Sequence, residues 1–135
     1  MALIPTRVHA VYDYIAGAAL IVIPWALAGE YRGAAVWLPT VLGVAALLVT
    51  VITRWELAVA RIVPVPVHLA VDVLAGVLMA ASPWLFGFSH IIAWPHVVVG
   101  LTEIMMGLLT SRHPVGLVAH AAGHLPGVHG GLSPR

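Results

Sequence analysis

Cysteine and lysine are both missing from this 135-residue chain, and each absence removes a class of function. Without cysteine there is no disulfide framework, no thiolate metal site and no cysteine nucleophile. Without lysine, all positive side-chain charge rests on arginine. The arginines form no dense run of the kind that binds nucleic acid, so no nucleic-acid partner is expected. Charged residues are scarce altogether, 8% of the chain against 61% hydrophobic, and the mean hydropathy is +1.04. A soluble domain carries roughly 25% charged residues, so this chain cannot coat a soluble core, and a lipid bilayer is its expected solvent. No nucleophile–base arrangement, glycine-rich phosphate loop or cofactor fingerprint is present. The loops are too short to build an enzyme pocket, so no enzyme is expected and any chemistry must lie within the membrane.

Long apolar runs, by contrast, are abundant. Stretches at about 7–28, 34–53, 67–88 and 92–111 match the ~20 residues needed to cross a hydrocarbon core. They are separated by GEYRG (29–33), by TRWELAVARIVPVP (53–66) and by GFSH (87–90). The expected fold class is an all-α membrane protein, a bundle of four transmembrane helices. The N-terminal stretch lacks the basic start and small-residue cleavage site of a signal peptide, and its apolar run contains Asp13, so it is expected to be the first span. Arg7, Arg54, Arg61, Arg112 and Arg135 fall on the side holding both termini and the middle loop, and Arg32 on the other. The positive-inside rule then predicts cytoplasmic termini.

The four spans form two copies of one unit. At an offset of 59, Pro5, Val8, His9, Asp13, Gly17, Pro24 and Trp25 correspond to Pro64, Val67, His68, Asp72, Gly76, Pro83 and Trp84. At an offset of 57, Trp37, Gly43 and Thr53 correspond to Trp94, Gly100 and Thr110. Two spans per unit make the repeats parallel, related by a pseudo-two-fold axis along the membrane normal. The predicted organisation is a transmembrane domain over 1–111 (repeat one about 5–53, repeat two about 64–111) and a His/Gly-rich tail over 112–135.

The tripeptide Ser82-Pro83-Trp84, near the end of the first helix of a two-helix unit, resembles the SPW-repeat family of small bacterial integral membrane proteins. The first unit departs from it, with Ile23-Pro24-Trp25. The resemblance covers roughly residues 5–111 and implies a four-helix protein of the bacterial inner membrane. It implies no biochemical activity.

Two costly pairs stand out within the apolar runs. Positions i and i+4 share a helix face, so His9, Asp13 and Gly17 form one line and His68, Asp72 and Gly76 another, each about 12 Å long at ~1.5 Å per residue. If both lines face the bundle axis, two imidazoles and two carboxylates converge, with the glycines making room beyond. Imidazole and carboxylate suit a divalent metal of the zinc, iron, nickel or manganese kind, and an intramembrane ionisable group is a functional hypothesis by default. The bland alternative is a boundary polar pair, with the carboxylate favoured by the helix dipole, pinning helices together or meeting Arg7 or Arg61. That alternative ranks first on sequence alone. A b-type haem between the two histidines ranks below the metal, because Asp13 and Asp72 lie where the macrocycle needs apolar walls.

Glu103 is a further intramembrane carboxylate, expected near the depth of Gly76, either protonated and bonded to a neighbouring helix or, as the alternative, ending a proton-handling series His68, Asp72, Glu103 that stops halfway across; its repeat equivalent is Ala46. Pro24, Trp25, Pro83 and Trp84 read as architectural, proline ending the helix and tryptophan anchoring the interface. His90 and His96 lie near the same rim, where they could bind a ligand but read first as solvated histidines. Small residues including Gly17, Gly43, Gly76, Gly100 and Gly107 allow close helix approach, within the chain or to another subunit. In the tail, His120 and His124 have a chelating i, i+4 spacing, but nearby Gly and Pro oppose a helix there. The leading expectation is therefore a non-enzymatic accessory or scaffold subunit, associated with other membrane subunits or with itself. The alternatives are a metal- or proton-handling protein using the paired His and Asp, and then a haem-binding redox subunit.

Overall fold

The computed structural model describes residues 3–27, 29 and 32–113 of the protein, and the tail pair His120 and His124 lies outside them. Four helices follow one another, α1 (Thr6–Ala26), α2 (Ala34–Ile52), α3 (Val65–Leu85) and α4 (Trp94–Leu109). The first three are long and apolar enough to cross a bilayer, and α4 is a shorter apolar helix. At 16 residues it spans about 24 Å at ~1.5 Å per residue.

Both second helices stop earlier than their apolar runs, and for one reason. Thr53 and Thr110 leave the helical conformation (φ −80°, ψ 148° and φ −78°, ψ 143°) so that their backbone can pair with an extended segment. Thr53 pairs with Val63 and Thr110 with Ile4. The hydrogen bonds are equivalent in the two repeats: Val63 N–H donates to Ile52 O at 2.9 Å and Ile4 N–H to Leu109 O at 3.2 Å, while Arg54 N–H donates to Val63 O at 2.8 Å and Ser111 N–H to Ile4 O at 2.9 Å. The lead-in to each repeat is thereby stitched to the close of the other. These stitches gather the starts of α1 and α3 and the ends of α2 and α4 at one end of the bundle.

Glycine sets the packing within each hairpin. A Cβ placed on Gly43 would lie 2.7 Å from Gly17 O, and one on Gly76 would lie 2.6 Å from Gly100 O. Backbones therefore touch at repeat-equivalent positions, α1 against α2 and α3 against α4. Gly107 packs as closely on Leu69 O, at 2.8 Å for an added Cβ. Gly17 and Gly76 thus serve hairpin contact and do not open space on the axis, as their place on the His-Asp stripe had suggested. Close approach is what holds helices together when lipid removes the hydrophobic gain.

Polarity is inverted relative to a soluble domain. His9, Asp13, Thr50, Thr53, His68, Asp72 and Thr110 are buried, while Ile15, Val22, Leu48, Leu74 and Leu108 lie exposed. An exterior of this kind is stable only against lipid. The chain is a multi-pass membrane protein.

Gly100→Val should lower thermal stability in detergent by about 1–3 kcal/mol, the usual penalty for overpacking a tight contact. Gly29→Ala, where an added Cβ meets nothing within 4 Å, should leave the unfolding temperature unchanged. Equal behaviour of the two variants would contradict the glycine contact.

Candidate metal centre

The two His-Asp lines do meet. His9 lies one turn inside α1 and His68 one turn inside α3. Because the stitches draw both helix starts to one end, the i, i+4 carboxylates are drawn together as well. His9 Nε2 lies 3.1 Å from Asp13 Oδ1 and 3.1 Å from Asp72 Oδ2. His68 Nε2 lies 3.0 Å from Asp13 Oδ2 and 3.2 Å from Asp72 Oδ2. Each imidazole thus reaches its own helix's carboxylate and the other repeat's. One donor atom from each of the four residues lies within 4.8 Å of all the others, and all four residues are buried.

The outer nitrogens define the protonation of the rings. His68 Nδ1 is 2.8 Å from Thr53 Oγ1, which itself donates to Val49 O at 2.7 Å. His9 Nδ1 is 2.7 Å from Thr110 Oγ1, which donates to Met106 O at 2.6 Å. A threonine hydroxyl has one proton, and here the helix carbonyl takes it. Thr Oγ1 must then accept from Nδ1–H, so in each ring the nitrogen aimed at the carboxylates is Nε2.

Of the four close contacts between inner atoms, one is an aligned hydrogen bond. His68 Nε2 and Asp13 Oδ2 form an aligned bond. His9 Nε2 and Asp72 Oδ2 have no aligned partner, although both are buried and 3.1 Å apart. Asp13 receives additional support from Thr50, whose hydroxyl donates to Oδ2 at 3.1 Å. Trp55, 1% exposed, closes the site toward the chain ends. Its ring centroid is 4.3 Å from that of His68 and 5.6 Å from that of His9, and its Nε1–H is tied to Thr50 O at 2.9 Å.

Two readings of the polar pairs are corrected by this geometry. No acidic residue lies in the first turn of α1 or α3, so Asp13 and Asp72 are beyond the reach of the helix N-terminal charge, which fades within one turn. Among the described residues, neither Arg7 nor Arg61 forms an ion pair with the cluster; the Arg54 guanidinium donates to Arg61 O instead.

Glu103 stands one layer further along. Tyr12 of α1 donates to its Oε1 at 3.2 Å, and its Cβ abuts Gly76, as its expected depth required. A cavity of about 90 Å³ has both Asp72 and Glu103 in its wall, which gives room for water beside the cluster. The expectation for His96 is also corrected. Only 6% exposed, it is buried inside the bundle, whereas His90 is exposed as expected.

The stitched pair of helical hairpins follows the repeat in the sequence. The family model of the SPW repeat domain matches residues 7–110. The chain belongs to the SPW repeat domain family. No match to it is found among curated proteins or among solved structures. In this SPW repeat protein the Ser-Pro-Trp tripeptide is remote from the polar cluster, at the opposite end of α3. Ser82 Oγ donates to Met79 O at 2.7 Å, and Pro83 O accepts from Phe88 and Ser89 N–H, each at 2.9 Å. Trp84 projects outward, 63% exposed. In the first repeat Trp25 instead donates to Thr40 Oγ1 at 2.9 Å and packs edge-on against Trp37 at 4.8 Å. The motif that defines the SPW repeat therefore ends a helix and turns the chain.

Sequence reasoning missed the threonines, Trp55 and Tyr12. Thr53 and Thr110 were visible only as a repeat-conserving pair. Thr53→Val and Thr110→Val each leave a buried imidazole N–H without an acceptor, at a cost of about 1–3 kcal/mol. The two variants should lose equal thermal stability in detergent. A loss confined to one of them would contradict the two-fold equivalence of the site.

Proposed function

We propose that this protein is a metal-handling membrane protein in which His9, Asp13, His68 and Asp72 bind one divalent first-row transition-metal ion. The observation that carries this reading is the convergence of four buried donors, in which His9 Nε2 and Asp72 Oδ2 face each other at 3.1 Å without an aligned hydrogen bond. Were the inner nitrogens protonated to neutralise the carboxylates, each N–H should point at an oxygen. One of the four close contacts is so aligned, and the other three involve one or both orphan atoms. Donors that converge on a common centre are what a cation requires.

Charge and donor type point the same way. Two carboxylates in a dry bundle carry a charge of −2, which a divalent cation neutralises. Donors bound to one ion at ~2.0–2.1 Å in a tetrahedral site lie about 3.3 Å apart, close to the 3.0–3.2 Å separations around the ring. A mixed nitrogen and oxygen set suits zinc, iron, nickel or manganese. Each ligating histidine also has its outer N–H fixed by a threonine, the arrangement that orients metal-bound imidazoles.

The same contacts weaken the other expectations. Carboxylate oxygens within 3.0–3.2 Å of each Nε2 occupy the space a haem macrocycle would need. The small-residue stripes, which had motivated an accessory subunit, are used in contacts within the chain. In the membrane, we infer that all four helices cross, that the repeats enter in the same direction, and that the arginine-rich end carrying the cluster faces the cytoplasm of a bacterial inner membrane. The ion would then be exchanged at the cytoplasmic end, past Trp55.

Protein purified without chelator should carry close to one equivalent of a divalent transition metal per chain by elemental analysis. After chelation it should bind one equivalent of Co²⁺, with visible ligand-field bands that His9→Ala and His68→Ala both abolish. Wild-type protein that is metal-free and shows no saturable Co²⁺ spectrum would overturn the proposal.

A further inference from the structure

Toward the other end of the bundle, away from the stitches, the two hairpins part and leave a cavity of about 310 Å³ between them. Among the described residues, Tyr12, Pro24, Pro39, Trp94, Pro95 and His96 contribute to its wall, which is otherwise apolar and holds no acidic or basic side chain besides His96. His96 is 6% exposed and its ring rests on Phe88 at 4.9 Å. Among the described residues neither Nδ1 nor Nε2 has an aligned hydrogen-bond partner, the nearest polar group acting on the ring being the Ala35 backbone.

A buried imidazole with no aligned partner carries a desolvation penalty that packing does not require. The repeat makes this plain, because the position equivalent to His96 in the first repeat is Pro39, and both line the same cavity. The second repeat has thus placed one polar side chain in an apolar chamber where the first has a proline. A neutral imidazole donates from one nitrogen and accepts at the other, so it can meet either a carbonyl or a hydroxyl.

We propose that this cavity binds an uncharged, ring-bearing lipid with a hydrogen-bonding head oxygen, of the isoprenoid quinone class, with His96 holding that oxygen. A phospholipid head is disfavoured, because a phosphate would lie here without a fixed positive charge. A bare acyl chain would fill the volume and leave His96 unmet. The flat faces of Trp94 and the three prolines suit a planar ring, and an apolar wall with one well-placed polar group is the usual form of a small-molecule site. The mouth is edged by exposed Trp94 (72%) and Val98 (54%), which lets an isoprenoid tail run out into the bilayer. The imidazole N–H can donate to one carbonyl of the oxidised head, and the other ring nitrogen can accept from one hydroxyl of the reduced head.

The test uses the full-length protein in phosphatidylcholine nanodiscs, titrated with decylubiquinone while tryptophan emission is followed. Saturable quenching is expected in the wild type, with the saturable phase lost in Trp94→Phe. His96→Leu should weaken the half-saturation concentration at least tenfold, and His96→Gln, which keeps a donor and an acceptor, should stay within about threefold of wild type. Val99→Phe, which fills the cavity and leaves His96 in place, should also abolish saturation. Linear, unsaturable quenching that is the same in wild type and His96→Leu would show a cavity filled by acyl chains and overturn the proposal. Trp94 and His96 begin α4 and the metal site lies by its other end, so metal-free and metal-loaded protein should give the same titration.

Discussion

Everything in this bundle is arranged around two carboxylates and two imidazoles held out of water. In a bilayer such groups are expensive alone, and they persist only where each has a partner. Asp13 and Asp72 are met by both histidines, and each histidine is held from behind by a threonine whose own proton is taken by a helix carbonyl. The crossed backbone stitches at residues 4, 53, 63 and 110 bring the four groups to one place. Removing any layer leaves a charge or a donor stranded in an apolar medium.

Two-fold repetition explains why the site can be built so economically. One stripe of His and Asp, copied, supplies four converging side chains; one threonine at a helix end, copied, orients both rings. Hairpin glycines, also copied, let the backbones close to contact. The residues that break the repeat then give the two sides different work. Trp55, whose counterpart is Arg112, covers the cluster. Tyr12 and Glu103, whose counterparts are Val71 and Ala46, place a hydrogen-bonded carboxylate on one flank only. His96, whose counterpart is Pro39, puts an imidazole in the chamber at the far end.

Much of this was legible before any coordinates. Apolar runs and the lack of charge specified a helical membrane protein, and the matched positions specified two repeats. The His-Asp stripes posed a geometric alternative that the fold resolves toward convergence. What could not be read was pairing at long range. Nothing local to Thr110 says that it meets His9, 101 residues away, because that contact depends on the lead-in of one repeat joining the close of the other. The same pairing shortened α2 and α4 relative to their apolar runs. Trp55 lies in a connection with no periodicity to read, and the burial of His96 depends on how far the hairpins part.

The central claim is that the four buried side chains form one nitrogen- and oxygen-liganded metal site. X-ray absorption at the K-edge of zinc in the reconstituted protein tests it most directly. The account predicts a nearest shell of nitrogen and oxygen at about 2.0–2.1 Å, with the outer-shell scattering of two imidazoles, and loss of one imidazole in either His9→Ala or His68→Ala. A spectrum of hydrated zinc without imidazole scattering, or one unchanged by both substitutions, would contradict it.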